Sequence, residues 1–453
     1  MRALLALAFL APLACGDTLI DHDGQRFIQG GGGASCDVGQ VACGAGAELT
    51  CRAEGPTFCG ADCVDCTATG TAPADGAVAC VGQSSGHGQC GYVCSAGLLK
   101  CPSGCCTATA VAAGDAHTCA VASDGGLSCW GADDAGQVTG SASPGTPVLD
   151  PRQRFAAGAT AIAAGRSHTC AVVNGAVQCW GADGSGQASP PPLSGVTALS
   201  AGQAHTCALL TSGAVRCWGA SALGQTGSGG SPIASGAVAI AAGWDHTCAI
   251  VGAGVQCWGS NAAGQLGDGS GGGFSAAPVP ASGLSGIDSI GAGRAHTCAA
   301  TGSSNETSVD DALRCWGAAP GTAFGLGNPQ TTPAIPMKSG SQSVIRFAVA
   351  EVAAGRTHTC VRRVGEDLQC FGPENGSGQL GGTPTGVAEA VAVTGSAGAL
   401  GIASGADHAC ARFPDAATTA LLLKCWGSNA SGQLGDGTTV TPSTGITVPV
   451  SGR

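Results

Sequence analysis

Histidine and cysteine, two residue types that bind metals and change charge or redox state, recur in a fixed order along this chain. Seven histidines are each followed two residues later by a cysteine, and a second cysteine follows further along each time. Such groups could bind a metal ion, titrate near neutral pH or form disulfides. The histidines are His117, His168, His205, His246, His296, His358 and His408.

The seven histidines occupy equivalent positions of a repeated unit, and this placement argues against a shared metal ion. Equivalent positions in neighbouring units generally lie too far apart for two side chains to reach one ion. We therefore expect each histidine to hold the start of a strand by hydrogen-bonding nearby backbone. A ring of metal ligands and a pH switch are the alternatives. On this interpretation the chain needs no metal or other cofactor, and no catalytic residue stands out.

Each cysteine pair flanks a predicted β-hairpin. In the second copy, Asn174-Gly175 lies midway between the cysteines and favours a type I′ turn. In the fourth copy, Gly252-Ala253 favours a type II′ turn, whereas Ser123-Asp124-Gly125 in the first copy predicts a three-residue loop. Both turn lengths place the two cysteines opposite each other at a non-hydrogen-bonded position, close enough for a disulfide.

We therefore predict one structural disulfide in each hairpin, with buried free thiols as the alternative. The fifth and seventh hairpins have longer tips, so their pairings follow by analogy with the others. The predicted pairs are Cys119–Cys129, Cys170–Cys179, Cys207–Cys217, Cys248–Cys257, Cys298–Cys315, Cys360–Cys370 and Cys410–Cys425.

The repeated unit is clearest at residues 243–269, where two strands precede a Gly- and Asn-rich corner. Period-two alternation indicates strands, and seven copies of a unit of this length indicate a propeller or solenoid. The pattern resembles the repeat of the regulator of chromosome condensation family, AAG-x-x-H-[TS], then G-x-V-x-x-W-G and N-x-x-G-Q-L-G-x-G. The matching residues are Ala241-Ala242-Gly243, His246-Thr247, Gly254-Val255, Trp258-Gly259, Asn261 and Gly264-Gln265-Leu266-Gly267-Asp268-Gly269.

That resemblance implies an all-β fold, a seven-bladed β-propeller of four-stranded blades, here preceded by a small disulfide-rich segment. Gly-Gln recurs in six of the seven copies and fails only near Phe324-Gly325-Leu326. The first copy begins abruptly at Ala110. We therefore expect a C-terminal strand within residues 445–450 to complete the blade that the first copy opens.

The cysteine content and the N-terminus indicate export. The 27 cysteines are typical of an oxidising compartment. Residues 1–15 have the features of a signal peptide, with an apolar run too short to span a bilayer. The ending Leu13-Ala14-Cys15-Gly16 resembles a bacterial lipoprotein cleavage site, which implies lipidation of Cys15; ordinary secretion is the alternative.

The remaining chain divides by composition. Residues 16–35 predict a flexible linker and residues 36–106 a cysteine-rich disulfide segment, with a metal site as the alternative for that segment. Residues 107–453 contain the predicted propeller.

Charge and motif content limit the possible functions. The formal charge of −11 and the lack of a basic run argue against nucleic acid and anionic membrane surfaces as partners. We expect a monomer at the outer membrane or cell surface, attached only by a lipid on Cys15, or a secreted one. The predicted function is a non-enzymatic binding or scaffold protein whose propeller loops contact an unidentified protein. The alternatives are guanine-nucleotide exchange on a small GTPase, implied by the family resemblance, and carbohydrate binding.

Overall fold

The computed structural model describes residues 97–101, 104–141, 145–301, 313–318, 349–363, 367–382, 390–414 and 421–442, and elsewhere only the backbone of short strands. The chain divides into two compact units, Met1–Ser95 and Ala96–Gly452. The first unit contains two-stranded antiparallel hairpins, and its Cys94 is disulfide-bonded. Its strands are β1 (Leu19–Ile20), β2 (Arg26–Phe27), β3 (Gln40–Cys43), β4 (Thr50–Ala53), β5 (Phe58–Cys59), β6 (Val64–Asp65), β7 (Gly76–Val81) and β8 (Gln89–Cys94).

The second unit contains seven antiparallel sheets, each built from one copy of the repeat, and we number the sheets with the copies. A hairpin of β9 (Leu99–Cys101) and β10 (Gly104–Cys106) precedes them. Sheet 1 comprises β11 (Ala108–Ala113), β12 (His117–Ala122), β13 (Leu127–Gly131) and β14 (Val148–Phe155), and sheet 2 comprises β15 (Ala159–Ala164), β16 (His168–Val173) and β17 (Ala176–Gly181). Sheet 3 comprises β18 (Val196–Ala201), β19 (His205–Leu210) and β20 (Val215–Gly219). Sheet 4 comprises β21 (Ala237–Ala242), β22 (His246–Val251), β23 (Gly254–Ser260) and β24 (Phe274–Pro280).

Sheets 5 to 7 follow in the same order, with a small separate hairpin between sheets 5 and 6. Sheet 5 comprises β25 (Ser289–Ala292), β26 (His296–Ala300), β27 (Leu313–Gly317) and β28 (Gln330–Ala334), and the separate hairpin comprises β29 (Met337–Lys338) and β30 (Gln342–Ser343). Sheet 6 comprises β31 (Val349–Ala354), β32 (Thr359–Arg363), β33 (Leu368–Phe371) and β34 (Val391–Ala392). Sheet 7 comprises β35 (Ile402–Ser404), β36 (His408–Pro414), β37 (Leu421–Gly427) and β38 (Val448–Pro449).

The outer strands differ from the prediction in two respects. Sheets 2 and 3 have three strands instead of four. In sheet 2 the segment that would supply the fourth strand contains Pro190-Pro191-Pro192, and proline cannot donate a ladder hydrogen bond. The C-terminal strand β38 pairs with β37 of its own sheet, Val448 opposite Cys425, so the prediction that it completes sheet 1 is wrong. Sheet 1 already has its own outer strand, β14.

The predicted turns are confirmed by backbone angles. Asn174 and Gly175 have φ of 51° and 80°, and two positive φ values in sequence define a type I′ turn. Gly252 has φ 62° and Gly125 has φ 80°, as the type II′ turn and the three-residue loop require.

These turns place the repeat cysteines opposite each other. Cys119 is the register partner of Cys129, and Cys248 of Cys257. The structure contains the same seven disulfides that the sequence predicts, with Cα–Cα distances of 4.0 to 4.1 Å. Cys105 and Cys106 are also disulfide-bonded.

The core lies between neighbouring sheets, where the aromatic residue of one copy packs on the disulfide of the copy before it. Trp180 of sheet 2 packs in one cluster with Cys119 and Cys129 of sheet 1. The same arrangement recurs around the unit, including Trp130 of sheet 1 with the disulfide of sheet 7. The disulfide therefore serves two structural purposes, because it crosslinks a hairpin and also forms the surface on which the next sheet packs.

The segment immediately before the repeats belongs to the same core. Leu99 is fully buried in the cluster that contains Trp130, and the amide of Leu423 in sheet 7 donates to the carbonyl of Gly97. Gly97, Leu99 and Cys106, which we assigned by composition to the cysteine-rich segment, thus contact sheets 1 and 7.

Candidate functional site

The seven repeat histidines are buried between neighbouring sheets. In six copies the ring Nε2 lies 2.8 to 2.9 Å from the hydroxyl of a threonine in the next copy. The prediction that histidine bonds nearby backbone is therefore wrong about the partner, which is a side chain of the adjacent sheet. The pairs are His117–Thr169, His168–Thr206, His205–Thr247, His246–Thr297, His296–Thr359 and His408–Thr118.

The threonine hydroxyl donates a hydrogen bond to the backbone carbonyl of the glutamine in the Gly-Gln corner of the preceding copy. Thr247 donates to the backbone carbonyl of Gln225 at 3.0 Å, and the indole of Trp258 donates to the same oxygen at 3.0 Å. This arrangement repeats, with Thr118 and Trp130 of sheet 1 both donating to Gln433. Sheet 7 and sheet 1 are therefore joined by the same bonds as consecutive sheets.

These bonds fix the protonation of the histidines. Because the threonine donates its only hydrogen to a carbonyl, histidine must donate from Nε2, which leaves Nδ1 unprotonated. The Nδ1 atoms of six of the histidines are buried without a hydrogen-bond partner. Burial, aided in most copies by a neighbouring histidine, lowers the pKa of five histidines to about 3 and of His168 and His296 to about 4. The rings therefore stay neutral at physiological pH.

One bond of this series is missing. The seventh copy has Ala409 where the other six have threonine, so His358 of sheet 6 faces no hydroxyl. Its Nε2 and Nδ1 are both buried and make no hydrogen bond of normal geometry, although the backbone of Ala406 lies close enough to act on the ring and raise its pKa slightly against the effect of burial. Ala409 itself is fully buried and lies opposite Trp426, as Thr247 lies opposite Trp258 in sheet 4.

The inner strands of all seven sheets line a cavity of about 250 Å³. At one end of it, the residue that follows the repeat glycine donates its backbone N–H to the next copy. Trp244 donates to the carbonyl of Gly293 at 3.2 Å, and Arg356 donates to that of Gly405 at 3.3 Å. A Cβ on Gly243 would collide with the ring of His246 and with the Gly293 carbonyl, which explains why glycine is invariant there.

The side chains at these positions form the entrance to the cavity, which we call the cavity mouth. Arg166, Trp244, Arg294, Arg356 and Asp115 all line it. The guanidinium of Arg294 lies 4.4 Å from the ring centroid of Trp244, and that of Arg166 lies 6.0 Å from the same centroid. Trp244 is thus flanked by two cations from different copies, an arrangement that cation–π attraction stabilises.

Acidic residues offset the arginines at the cavity mouth. Arg356 pairs with Asp407 at 2.5 Å, and Arg166 lies 3.7 Å from Asp115. Burial raises the pKa of Asp115 to about 6, even though Arg166, Arg356 and Arg294 all act to lower it. Burial also raises the pKa of Asp245, against the effect of Arg294. Three arginines and a partly desolvated carboxylate therefore line the same cavity, and each arginine is near enough to act on the Asp115 carboxylate.

Our reasoning from the sequence did not identify the cavity mouth, although a signal for it was present. Within AAG-x-x-H-T-C, the position directly after the glycine varies from copy to copy, and in three copies it is arginine. The residues we did single out lie elsewhere. Thirteen of the fourteen repeat cysteines are buried in the core between sheets, and Cys179 is partly buried against it. Cys15, the predicted lipidation site, lies outside the described residues.

Within the described part of the chain, no group of three or more His, Cys, Asp or Glu side chains is placed to hold a metal ion. No helix in the same residues is long and apolar enough to cross a bilayer.

Comparison with known proteins identifies the repeat and the fold. The family model "Regulator of chromosome condensation (RCC1) repeat" matches residues 108–137, 196–225 and 237–265, in copies 1, 3 and 4. No curated protein sequence matches the chain.

Solved structures of similar fold include human WBSCR16, 18% identical, with a TM-score of 0.56 over 73% of this chain and 92% of that one. They also include Prp20p from Saccharomyces cerevisiae, described with its binding to Gsp1p and histones, 19% identical with a TM-score of 0.53 over 76% and 87%. The structure of yeast RCC1 (Prp20) bound to Kap60 is 19% identical in sequence, with a TM-score of 0.53 over 72% of this chain and 83% of that one. At these identities the likeness shows the fold alone.

Proposed function

We propose that this chain, which carries RCC1 repeats on a propeller fold, is an exported, non-enzymatic protein that binds another protein at the cell surface. The observation that carries the proposal is the disulfide in each of the seven repeat sheets. Disulfides persist in oxidising compartments and are rare in reduced cytosol. Seven of them, each buried against the next sheet, indicate that the protein works in an oxidising, extracytoplasmic setting.

The repeat residues whose side chains could take part in chemistry have structural roles instead. The repeat histidines, and the tryptophans that directly follow the second repeat cysteine, are buried and bonded mainly to adjacent copies, which keeps them from contacting a substrate. RCC1-type propellers present surface loops from a rigid set of sheets, and such loops are where binding residues concentrate. Here the segment between the third strand of one sheet and the next copy varies in length and content, so these segments are our candidates for partner contact.

Exposed apolar side chains occur in or beside these variable segments. Phe274 is 57% exposed at the start of β24, and Leu223 is 37% exposed in the corner after β20. Large exposed side chains of this kind are common anchors in protein interfaces. They are the first positions to substitute when a partner has been found.

Export and anchoring can be tested together on the full chain in its native cells. Fractionation with a thiol-specific label should place the protein outside the cytoplasm with its fourteen repeat cysteines unlabelled. If Cys15 is lipidated, Cys15→Ser should release the protein from the membrane fraction, while Cys15 is irrelevant to retention under ordinary secretion. A cytoplasmic protein with labelled repeat cysteines would overturn the proposal.

Partner binding is tested by membrane-impermeant proximity labelling on intact cells, followed by direct binding of the purified candidate to the oxidised full chain. Phe274→Ser and Leu223→Ser are the loop variants, and Val238→Ser, on the exposed inner strand of sheet 4, is the matched control. Binding lost in a loop variant but kept in the control supports loop-mediated contact. A candidate bound equally by all variants and by reduced, unfolded chain would count against it.

Guanine-nucleotide exchange is the second candidate function, favoured by the fold shared with Prp20p. It requires a GTPase in the compartment of the protein, which the disulfides make an oxidising one. Accelerated release of labelled nucleotide from a small GTPase by the oxidised full chain would establish it.

A further inference from the structure

We propose that the cavity mouth binds a small oxyanion, a carboxylate or phosphate-like group, through Arg166, Arg294 and Arg356 beside the ring of Trp244. This site is separate from the loop-mediated protein binding proposed above. It is assembled from copies 2, 4, 5 and 6, so no single repeat contains it.

Convergence of the guanidinium groups is the first support. All three arginines line the mouth of the same cavity and all three act on the carboxylate of Asp115. Each guanidinium carries five N–H donors in a fixed fork, which fits carboxylate and phosphate oxygens and leaves donors free after one ion pair. Arg356 uses its contact with Asp407 at one nitrogen, and Arg166 is 53% exposed beside Asp115.

Asp115 shows that an anion can be held at this place, but only weakly. Its carboxylate lies 3.7 Å from Arg166, yet burial outweighs the attraction of Arg166, Arg356 and Arg294 and raises its pKa to about 6. A weakly held internal anion can be displaced by a ligand that brings two or three oxygens and remains partly solvated. Asp115 therefore acts as a competitor for the site, and protonating it favours the external anion.

The remainder of the site suits a small molecule. Below the mouth, the cavity of about 250 Å³ is lined mainly by alanine, glycine, isoleucine and leucine of the inner strands. Trp244 is half-buried, with the guanidinium groups of Arg294 and Arg166 lying 4.4 and 6.0 Å from its ring centroid, and it supplies a flat wall. The volume lies just below the usual range of about 300–1,000 Å³ for ligand pockets, so it suits a compact anion rather than a polymer.

The test is calorimetric titration of the oxidised full chain with sulfate and, separately, with succinate, at fixed ionic strength. The sulfate arm probes a tetrahedral oxyanion and the succinate arm probes a carboxylate. Arg294→Gln should weaken binding about tenfold, because a charge-assisted bond is lost. Arg152→Gln, which removes an exposed charge from the outer strand of sheet 1, is the matched control and should bind as the unsubstituted chain does.

Asp115→Asn provides a test in the opposite direction. Removing the internal competitor should tighten sulfate binding at pH 8, where Asp115 is ionised, and should flatten its pH dependence. In the unsubstituted chain, sulfate should bind more tightly as the pH falls through about 6, since Asp115 then loses its charge. The other charged groups facing this site are Asp245, Asp407 and the three arginines.

Several results would overturn the proposal. These are the absence of saturable binding of both anions, equal weakening by Arg152→Gln and Arg294→Gln, or weaker sulfate binding in Asp115→Asn. Circular dichroism of each variant establishes that it is folded, and substitution of exposed or mouth-lining side chains leaves the buried sheets intact. Tight binding of one anion and not the other would identify the class of ligand within the proposal.

Discussion

The unpaired ring of His358 leads to a specific prediction: Ala409→Thr should stabilise the protein. In the other copies, a threonine at this position accepts from the preceding histidine and, where the described residues include its acceptor, donates to a glutamine carbonyl. In sheet 7 that carbonyl, of Gln379, is present and already accepts from Trp426 at 3.1 Å. A threonine at 409 would therefore find both partners in place.

The expected gain follows from the cost of the missing bond. A buried donor without an acceptor costs about 1–3 kcal/mol, and a completed hydrogen bond contributes about 1 kcal/mol net. Immobilising a threonine side chain in the folded state costs a fraction of 1 kcal/mol. We therefore expect Ala409→Thr to raise the free energy of unfolding by about 1–2 kcal/mol. Thr206→Ala, which creates the same defect at His168, should lower it by a similar amount.

Guanidinium unfolding at pH 8 with disulfides intact measures the effect, provided the transition is a single one with unchanged slope. Ala409→Val is the decisive control, because valine has the shape of threonine without its hydroxyl. If valine stabilises as much as threonine, the gain comes from packing and the hydrogen-bond reasoning is refuted. A nitrogen NMR spectrum should in addition show the Nε2–H signal of His358 shifting in the threonine variant alone.

Three other predictions concern the stability of the protein at acidic pH, the role of Asp115 at the cavity mouth, and the disulfide on which the next sheet packs. Each repeat histidine is neutral when folded, and its folded pKa of about 3 to 4 lies below the unfolded value of 6.5. Stability should therefore be full above pH 6.5 and fall below it by about 1.4 kcal/mol per pH unit for each histidine, which guanidinium midpoints across pH will show. The pKa of Asp115 is instead raised on folding, from 3.8 to about 6, so Asp115→Asn should stabilise the protein by up to about 3 kcal/mol at pH 8. The gain should shrink as the pH falls through 6 and vanish well below pH 3.8, where Asp115 is protonated in both states. Replacing Cys119 and Cys129 by alanine should lower the free energy of unfolding by about 3 kcal/mol for a hairpin of this size, and further through the lost contact with Trp180. If the variant were less stable than the unsubstituted chain only under reducing conditions, this reasoning would be contradicted.

Local features of the fold could be predicted from the sequence because they depend on a few adjacent residues. Asn174-Gly175 and Gly252 adopt the expected positive φ, and the turn length alone fixes which residues stand opposite each other. Five of the seven disulfides follow from that register, whereas Cys298–Cys315 and Cys410–Cys425, which span longer tips, were predicted by analogy with the other copies. The histidine partners could not be predicted in this way, because His117 and Thr169 come together only when neighbouring sheets pack at a particular offset.

The ends of the propeller were predicted less well for a similar reason. A strand within residues 445–450 was expected from its apolar alternation, but alternation does not say which sheet edge the strand joins. In the structure the nearest free edge is β37 of the same copy, and β14 already covers sheet 1. The cavity mouth was missed because no single copy contains more than one or two of its residues.

The repeat nevertheless explains why a composite site can exist. The repeat histidine, threonine and tryptophan each make a hydrogen bond to a neighbouring sheet, and the repeat glycine leaves no room for a side chain there. The residue after the glycine contributes to this architecture only through its backbone N–H, as Arg166 does to Gly202 and Trp244 to Gly293. Any residue except proline can supply that N–H, and the cavity mouth is lined at this position by Asp115, Arg166, Trp244, Arg294 and Arg356. Selection can therefore change the mouth one copy at a time without weakening the sheets, and the sequence here, with arginine at three copies and tryptophan at one, makes that mouth a site for anions.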